Sequence, residues 1–277
     1  MKKKNISKHR ILILGASGYI GNVLYKELGP YFKTFGTYRT SKKVFESNKQ
    51  FLHYNVEEDD VYEILEATKP SIIISAIRGD FNAQTIAHQH VAEYALEYGS
   101  KIIFLSSANV FDAYSKYPSY ELDKTLSHSI YGHFKIKIEN MLLRLPKKQV
   151  AILRLPMVFG NQCPRIMEMR DYISTNESVE IFPNLIMNVT LDHKVTQQIH
   201  YIINREKFGI FHLGSTDLVH HDEFVKQILQ IISHEKVLLK HVYTTNDDRY
   251  LAVLPKFNKL PKHLQITSDK VLEALKK

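Results

Sequence analysis

Tyrosine–lysine pairs spaced by one helical turn are the first residues in this sequence with the types and the distance needed for proton chemistry. An ammonium on the same helix face as a phenol favours the phenolate, and so lowers the tyrosine pKa from its usual value of about 10. Tyr131 begins an amphipathic stretch that predicts a helix up to Leu145, and such a helix holds Lys135 beside the phenol. The other two pairs, in a basic loop and in a turn, are Tyr38/Lys42 and Tyr120/Lys124.

A serine at the end of a predicted strand lies where it can share a substrate oxygen with Tyr131. The run Lys101–Ser106 has strand length and is followed directly by Ser107. In doubly wound α/β sheets, ligands bind at the carboxyl edge of the strands. A hydroxyl at this edge and a phenol on the next helix can converge on one oxygen. The predicted catalytic set is therefore Ser107, Tyr131 and Lys135, with a purely structural role for them as the alternative.

A glycine-rich turn near the N-terminus predicts a dinucleotide site. The segment Gly15–Gly21 has glycines at its first, fourth and seventh positions and lies between a predicted strand and a predicted helix. Glycines there allow a tight turn, close approach of the backbone to a pyrophosphate and close packing of the helix on the strand. A simple strand-to-helix turn is the alternative. The residues of this turn that are predicted to bind the cofactor are Gly15, Ser17, Gly18, Tyr19, Ile20 and Gly21.

The loop after the second predicted strand indicates which dinucleotide is preferred. Sites that prefer NAD usually carry an acidic residue about twenty positions further on, where it binds ribose hydroxyls. The corresponding segment here, residues 37–43, is cationic and hydroxyl-bearing and has no carboxylate. Because such a loop suits a 2′-phosphate, NADP(H) is predicted rather than NAD(H), with Arg39 as the main contact and Ser41 or Lys42 in support. A solvated basic loop is the alternative.

Short apolar strands alternate with helical patterns over about the first 155 residues, which predicts a doubly wound parallel α/β sheet of the Rossmann type. Beyond Met157 the elements become shorter, which predicts a smaller C-terminal substrate lobe. The expected organisation is a basic tail over residues 1–9, an NADP-binding lobe over 10–156 and a substrate-binding lobe over 157–277, with crossing back allowed. The predicted strands are Arg10–Leu14, Thr34–Tyr38, Phe51–Tyr54, Ser71–Ala76, Lys101–Ser106 and Val150–Leu153, and the predicted helices are Gly21–Leu28, Asp59–Thr68, Ala83–Tyr98 and Tyr131–Leu145.

Composition and charge exclude several classes of protein. The chain has 277 residues, 44% of them apolar, and a net charge of +8 that suits an anionic ligand. No apolar run reaches the ~18 residues of a membrane span, and no recognition helix or zinc finger is evident, so a cytoplasmic protein without a membrane or nucleic-acid partner is expected. The single cysteine, Cys163, excludes an internal disulfide and is expected in a loop. No metal is expected, and the paired histidines are predicted to be surface residues: His88, His90, His220 and His221.

Together these motifs resemble the extended short-chain dehydrogenase/reductases, and among them the dTDP-4-dehydrorhamnose reductases and related nucleotide-sugar reductases. The resemblance covers about residues 10–235. The separation of Ser107 and Tyr131, 131 − 107 = 24, is that of the family. Beyond the glycine turn and the catalytic set, the residues that carry it are Ser107–Phe111, Glu121, Asp123, Gly132, Glu139, Arg154–Gly160, Phe211–Gly214 and a helix around Glu223–Ile231.

The resemblance implies an oxidoreductase of deoxysugar and polysaccharide biosynthesis that reduces the 4-keto group of a nucleotide-linked 4-dehydro-6-deoxy sugar with NADPH. In this reaction Tyr131 protonates the oxygen, Lys135 binds the nicotinamide ribose and Ser107 stabilises the alkoxide. A homodimer is an assembly that the resemblance allows. It also implies cofactor contacts from Asn55, Val56, Ala76 and Leu155, and substrate contacts from Ala108, Asn109, Met157 and Arg165.

Other functions on the same fold stay open. A nucleotide-sugar epimerase usually prefers NAD, which the basic loop at Arg39 disfavours, and a dehydratase needs carboxylates where this chain has Ala108 and Asn109. A non-catalytic NADP-binding regulatory subunit is a third alternative, because a fold does not fix a function. In the second lobe, Arg154 is expected to make structural hydrogen bonds, and the further substrate candidates are Arg170, Thr190 and Asp192.

Overall fold

The computed structural model describes residues 9–114, 116–234 and 236–276. Of the predicted basic tail over residues 1–9, only His9 falls within these ranges, so the prediction of a tail lies outside the described residues. The strands are β1 Arg10–Leu14, β2 Lys33–Tyr38, β3 Phe51–His53, β4 Ile72–Ser75, β5 Lys101–Ser107, β6 Val150–Leu155, β7 Met157–Phe159, β8 Val179–Ile181, β9 Leu185–Met187, β10 Val189–Leu191, β11 Gly209–His212, β12 Val219–His220, β13 Leu239–His241 and β14 Arg249–Leu251. The helices are α1 Tyr19–Leu28, α2 Lys43–Glu46, α3 Val61–Thr68, α4 Phe81–Tyr98, α5 Ile130–Leu142, α6 Pro164–Ser174, α7 Asp192–Asn204, α8 His221–Ile232 and α9 Ser268–Leu275.

A seven-stranded sheet forms the centre of the fold, in the order β11-β6-β5-β4-β1-β2-β3. Strand β1 pairs in parallel with β2 and β4, β2 with β3, and β4 with β5. The chain builds outward from β1 through β2 and β3, and then continues on the other side of β1 with β4 and β5. The strand order therefore reverses at β1 and β4, and open α/β sheets bind ligands at the carboxyl edge of such a switch point. The predicted doubly wound parallel α/β sheet is confirmed.

Continuous apolar runs become the central strands because both faces of the sheet are covered. Successive residues of a strand face opposite sides of the sheet. On one side, Leu12 and Leu14 of β1 pack in a cluster with residues of α4 such as Val91. Ile11 and Ile13, on the other side, are also fully buried. The absence of polar alternation in β1 thus follows from its place in the middle of the sheet.

The predicted strands and helices are found with shifts of three residues or fewer at their ends, and aspartates explain two of the shifts. The Asp60 side chain accepts the Tyr62 N–H at 2.9 Å, so that α3 begins at Val61 rather than at Asp59. The Asp80 side chain accepts the N–H groups of the second and third residues of α4, which begins at Phe81. At the other end of α4, Gly99 has φ 70° and ends the helix as predicted.

The contacts divide the described residues into two compact units. The first unit contains the described residues of Met1–Ser106, Phe134–Leu153 and Ile199–Ile210. The second unit contains the described residues of Ser107–His133, Arg154–Gln198 and Phe211–Lys277. The lobes 10–156 and 157–277 were predicted from the pattern of elements along the chain, and this division, with what each lobe binds, stays a prediction.

Candidate active site

The glycine turn between β1 and α1, in the first unit, has a backbone that only glycine accommodates. Gly15 has a φ of 82°, in the left-handed region. A Cβ at Gly15 would lie 2.6 Å from the Ala76 carbonyl oxygen, and a Cβ at Gly21 would lie 2.2 Å from the Gly15 carbonyl oxygen. Two hydrogen bonds tie the turn to β2, because the Gly15 N–H donates to Thr37 Oγ1 at 2.8 Å and the Ser17 N–H donates to the Thr37 carbonyl at 3.1 Å.

The N-terminus of α1 opens from this turn without a side-chain cap. Gly18 is the N-cap residue and makes no side-chain hydrogen bond to the helix. An uncapped helix N-terminus offers backbone N–H groups and a positive dipole end, which suit a phosphate group. The packed glycines and the uncapped helix therefore fit the pyrophosphate of a dinucleotide. Tyr19 and Ile20, two further predicted cofactor contacts, start the helix two residues before its predicted start at Gly21.

A carboxylate lies beside the predicted 2′-phosphate contact, and reasoning from the sequence missed it. Arg39 follows β2 directly, and its guanidinium lies 3.5 Å from Glu57 Oε1. The Asp80 N–H also donates to this Glu57 oxygen at 3.1 Å, so the carboxylate is fixed by the backbone. Both Arg39 and Ser41 are exposed, as a binding loop requires. Glu57 is eighteen residues from Arg39 in the chain, outside the segment 37–43 from which the cofactor preference was predicted.

The loops that follow β3 and β4 meet at the same edge of the sheet. A Cβ at Gly79, after β4, would lie 2.8 Å from a methyl carbon of Val56, after β3. The Asn55 N–H donates to the Asp59 carboxylate at 2.7 Å, which fixes the start of that loop. Three predicted cofactor contacts, Asn55, Val56 and Ala76, thus lie in neighbouring loops at the carboxyl ends of these strands.

Ser107, in the second unit, ends β5 and starts a 3₁₀ turn over Ala108–Phe111. Its hydroxyl donates to Asn109 Oδ1 at 2.9 Å and accepts the Asn109 N–H at 3.2 Å. The side chain is partly exposed, whereas Ala108 is buried. The turn therefore holds the Ser107 hydroxyl in place while leaving it within reach of a ligand.

The first turn of α5 packs against this same segment. Ser129 Oγ accepts the Gly132 N–H at 3.0 Å and donates to the Asp112 carboxylate at 2.5 Å. A Cβ at Gly132 would lie 2.4 Å from the Asn109 carbonyl oxygen, so only glycine lets the helix approach so closely. Tyr131, next to Gly132, is 40% exposed. The structure thus brings the start of the Tyr131 helix against the segment that Ser107 begins.

Lys135, in the first unit, lies one turn further along α5 and is buried. Its Nζ donates to the Leu105 carbonyl at 2.9 Å and lies 4.5 Å from the centre of the Phe104 ring. Burial lowers the pKa of Lys135 to about 8, Glu139 partly offsets this effect, and Arg78 adds to it. The lysine is therefore held against β5 with a pKa far below its ordinary value.

The remaining predicted substrate contacts are spread over the second unit. Met157 begins β7 and pairs with Val189 of β10, while Leu155, a predicted cofactor contact, is buried at the end of β6. Arg165 and Arg170 are exposed on α6, and no hydrogen bond or ion pair within the described ranges joins either of them to Ser107. Of the other candidates, Thr190 is buried, and no described residue forms a hydrogen bond with its hydroxyl, while Asp192 begins α7.

Arg154 is structural, as predicted. It is 2% exposed, its guanidinium donates to the Glu121 carbonyl at 3.1 Å, and it lies 4.7 Å from the centre of the Phe111 ring. The Glu121 carboxylate accepts the backbone N–H groups of three successive residues, Lys256, Phe257 and Asn258. Burial raises the pKa of Glu121, but these backbone donors outweigh burial and lower it.

Two of the four histidines predicted at the surface are buried, so that prediction is wrong for them. His88 is 1% exposed, since its ring lies 2.8 Å from Ser75 Oγ and 2.6 Å from the Gln84 carbonyl. His221 is 5% exposed and lies 3.3 Å from the Phe182 N–H nitrogen. Burial lowers the pKa of each histidine to about 4, so both are neutral near pH 7. The helices α4 and α8 turn these rings toward the interior, which spacing along the chain does not reveal.

Cys163 lies in the loop before α6, as expected, and caps that helix. It is fully buried, and its Sγ accepts the Ile166 N–H at 3.4 Å at the start of α6. Over the residues with a described structure, no three histidine, cysteine or acidic side chains come together as a metal site would require. In the same residues, no helix combines the length and the apolar character needed to cross a bilayer.

A family model described as the RmlD substrate binding domain matches residues 9–267. The chain belongs to this family. A curated dTDP-4-dehydrorhamnose reductase of Aggregatibacter actinomycetemcomitans is 25% identical over 269 residues, which cover 89% of this chain and 88% of that protein. The resemblance read from the glycine turn and the catalytic motifs is thereby confirmed.

Curated proteins with another description are also similar to this chain. The β subunit of mouse methionine adenosyltransferase 2 is 27% identical over 165 residues, which are 56% of this chain and 49% of that protein. The chain therefore spans about half the length of that relative. Among solved structures, a dTDP-4-dehydrorhamnose reductase of Bacillus anthracis in complex with NADP has a TM-score of 0.76 and 22% identity, with 97% of this chain and 99% of that chain covered. At 22% identity, the similarity to this structure shows a shared fold and no more.

Proposed function

We propose that this RmlD-family protein is an NADPH-dependent reductase of the 4-keto group of a nucleotide-linked 4-dehydro-6-deoxy sugar, such as dTDP-4-dehydrorhamnose or a related UDP or dTDP sugar. The observation that carries the proposal is helix α5, which presents Tyr131 at its exposed first turn and the buried Lys135 one turn later. The packing of Gly132 against the Asn109 carbonyl sets this turn against the segment that starts at Ser107. The similarity to the Aggregatibacter reductase along 89% of the chain supports the assignment.

The cofactor residues of the proposal lie at the carboxyl edge around β1. The backbone of the glycine turn and the uncapped N-terminus of α1 would hold the pyrophosphate, and Arg39 would hold a 2′-phosphate. Lys135 would bind the nicotinamide ribose. The Bacillus anthracis reductase, which shares the fold, was crystallised with NADP, and this supports the choice of cofactor. When bound, NADPH supplies the hydride that reduces the carbonyl carbon.

The chain's own residues provide the proton and stabilise the charge. Tyr131 would donate its phenolic proton to the carbonyl oxygen; this proton, together with a hydride added to the carbonyl carbon, converts the ketone to a secondary alcohol. A phenol with a pKa of about 10 is a poor acid near neutral pH, and the Lys135 ammonium one turn away lowers that pKa. Ser107 exchanges its bond to Asn109 Oδ1 for the substrate oxygen and stabilises the negative charge that develops there.

A non-catalytic subunit is the second candidate, because the similarity to the methionine adenosyltransferase β subunit favours it. That similarity covers 56% of this chain, whereas the similarity to the reductase covers 89%. The subunit alternative does not need an exposed Tyr131 with a buried lysine one turn away. The epimerase alternative is weaker still, because Arg39 and its neighbours suit a 2′-phosphate.

The experiment that tests the proposal offers the purified protein and NADPH a panel of 4-keto-6-deoxy sugars linked to dTDP or UDP. We expect oxidation of NADPH, followed by its absorbance, with at least one sugar of the panel. Binding of NADPH is measured separately by its fluorescence. A protein that binds NADPH tightly but oxidises it with no sugar of the panel contradicts the proposed function and favours the subunit.

Replacement of Arg39 by alanine is expected to weaken NADPH binding by about 10-fold or more, because a charged hydrogen bond to the 2′-phosphate is lost. NADH binding changes little, since NADH has no 2′-phosphate.

Glu57→Gln is expected to strengthen NADPH binding, because it removes the carboxylate that lies 3.5 Å from the Arg39 guanidinium. For each variant, titration of cofactor fluorescence measures the dissociation constants of NADPH and NADH. Lys49→Ala, which removes an exposed charge outside the 37–43 segment, in the turn before β3, is the matched control. Equal losses of NADPH and NADH affinity in Arg39→Ala contradict this prediction.

A further inference from the structure

A buried carboxylate lies one helical turn beyond Lys135, and the proposed mechanism leaves it unused. Glu139 is 1% exposed, although it is an acidic side chain on a helix that has a solvent-facing side. A carboxylate so deeply buried is costly unless hydrogen bonds or an opposite charge compensate it. Its position at i+4 from Lys135 on α5 places both side chains on the same face of the helix.

Strand β5 holds both charged side chains through adjacent residues. Ser106 Oγ donates to Glu139 Oε1 at 2.5 Å, and the serine is itself 4% exposed. Lys135 Nζ donates to the carbonyl of the preceding residue, Leu105, at 2.9 Å. Two neighbouring residues of one strand therefore fix two successive turns of one helix, all within the first unit. The strand therefore fixes the position of the ammonium and, one turn further along, the position of the carboxylate.

The titratable groups described near Lys135 come from three parts of the first unit. Arg78, after β4, lowers its pKa, and Glu139 on its own helix raises it. His88 on α4 also faces the ammonium, but burial keeps this histidine neutral, with a pKa of about 4. Of Arg78, His88 and Glu139, it is Glu139 that favours the charged form of Lys135.

We propose that Glu139, oriented by Ser106, is a positioning residue for Lys135, which it keeps charged and directed along β5 during turnover. This inference rests on the proposed function, because the ammonium matters only if it acidifies Tyr131. A lysine in an apolar site without a compensating carboxylate favours the neutral amine. A neutral amine has no charge with which to favour the phenolate. Without the Glu139 charge, Lys135 therefore no longer lowers the pKa of Tyr131, although every group that touches the substrate is still present.

The test begins with the cofactor-free protein, so that it does not depend on turnover. Lysine side-chain nitrogens are labelled with ¹⁵N, and the Lys135 signal, assigned by its loss in Lys135→Arg, is titrated by NMR. In Glu139→Gln, which keeps an oxygen for the Ser106 hydroxyl, we expect the protonated fraction of Lys135 at pH 8 to fall by about fivefold or more. Lys137→Gln, which removes an exposed charge from the same helix, is the control and leaves the titration unchanged.

The pH profile of the reductase provides the second readout. In the wild type the ammonium is mostly protonated below its pKa of about 8, so kcat falls on the alkaline side. Because Glu139 raises this pKa, Glu139→Gln moves the alkaline limb to lower pH, and activity recovers as the pH is lowered. A purely structural defect lowers kcat at every pH and does not recover. In Glu139→Asp, which retains the charge, the alkaline limb of the kcat profile lies between those of the wild type and Glu139→Gln.

The outcomes separate the inference from the proposed function. If Lys135 titrates alike in the wild type, Glu139→Gln and Glu139→Asp, the inference is overturned, whatever the activities are. If the wild type reduces no sugar of the panel, the proposed function is overturned, and the NMR titration still decides whether Glu139 holds the charge. Should Glu139→Gln fail to fold, Glu139→Asp decides, because withdrawing the carboxylate by one methylene lowers the protonated fraction at pH 8 by a smaller amount.

Discussion

Replacement of Tyr131 by phenylalanine is expected to lower kcat by about 10²–10⁴-fold, which is the contribution of a positioned acid or base. The phenolic oxygen is the proton donor in the proposed reduction, and phenylalanine has no group to replace it. NADPH affinity changes little, because the glycine turn and Arg39 hold the phosphates. Tyr131 is 40% exposed, so the change leaves no buried cavity and the protein remains folded. Steady-state kinetics and titration of NADPH fluorescence measure the two effects separately.

Tyr120→Phe provides a matched control for this prediction. Tyr120 is also followed by a lysine four residues later, and it lies in a turn, with the Lys256 ammonium 5.2 Å from its ring centre. The same atom is removed, but from a residue outside the proposed catalytic set, so kcat stays near the wild-type value. If Tyr131→Phe has the kcat of the wild type, the assignment of Tyr131 as the proton donor is wrong.

Gly21→Ala is expected to weaken NADPH binding by roughly 10-fold or more, because overpacking of this kind costs about 1–3 kcal/mol. The added methyl would lie 2.2 Å from the Gly15 carbonyl oxygen and 2.9 Å from the Ala16 Cα. Both contacts are with backbone, so a side-chain rotation cannot relieve them. Either α1 moves away from β1 or the turn itself shifts, and in both cases the backbone N–H groups leave the positions that fit a pyrophosphate.

The same substitution at Gly29, where α1 ends, is the control. Gly29 has helical torsion angles, φ −53° and ψ −36°, and the nearest contact of its added methyl is the Tyr25 carbonyl of the same helix, at 3.0 Å. Thermal denaturation is expected to show a lower Tm for Gly21→Ala than for Gly29→Ala. NADPH titration is expected to show loss of affinity in Gly21→Ala alone. Wild-type affinity in Gly21→Ala excludes the glycine turn as the pyrophosphate site.

The fold was predictable because its signals are local in the sequence. A run such as Ile11–Leu14 is apolar at every position, and only a strand covered on both faces buries every residue of such a run. The glycine turn was predictable for the same reason, since strand, turn and helix are contiguous. Helix ends were less well predicted, because they depend on single side chains such as Asp60 and Asp80, which cap the next helix.

What the sequence alone determined is the strands and the longer helices of about the first 155 residues, and the spacing of Tyr131 and Lys135, since these depend on residues that are close in the chain. Tertiary structure decided which distant side chains share a charge. It brought Glu57 to Arg39, buried His88 against Ser75, and tied Glu139 to Ser106 across 33 residues. These contacts join separate strands and helices, and their partners are fixed only when the sheet is assembled. Electrostatic interactions depend on distance through space, so the charge state of Lys135 is a property of the folded protein rather than of its sequence motif.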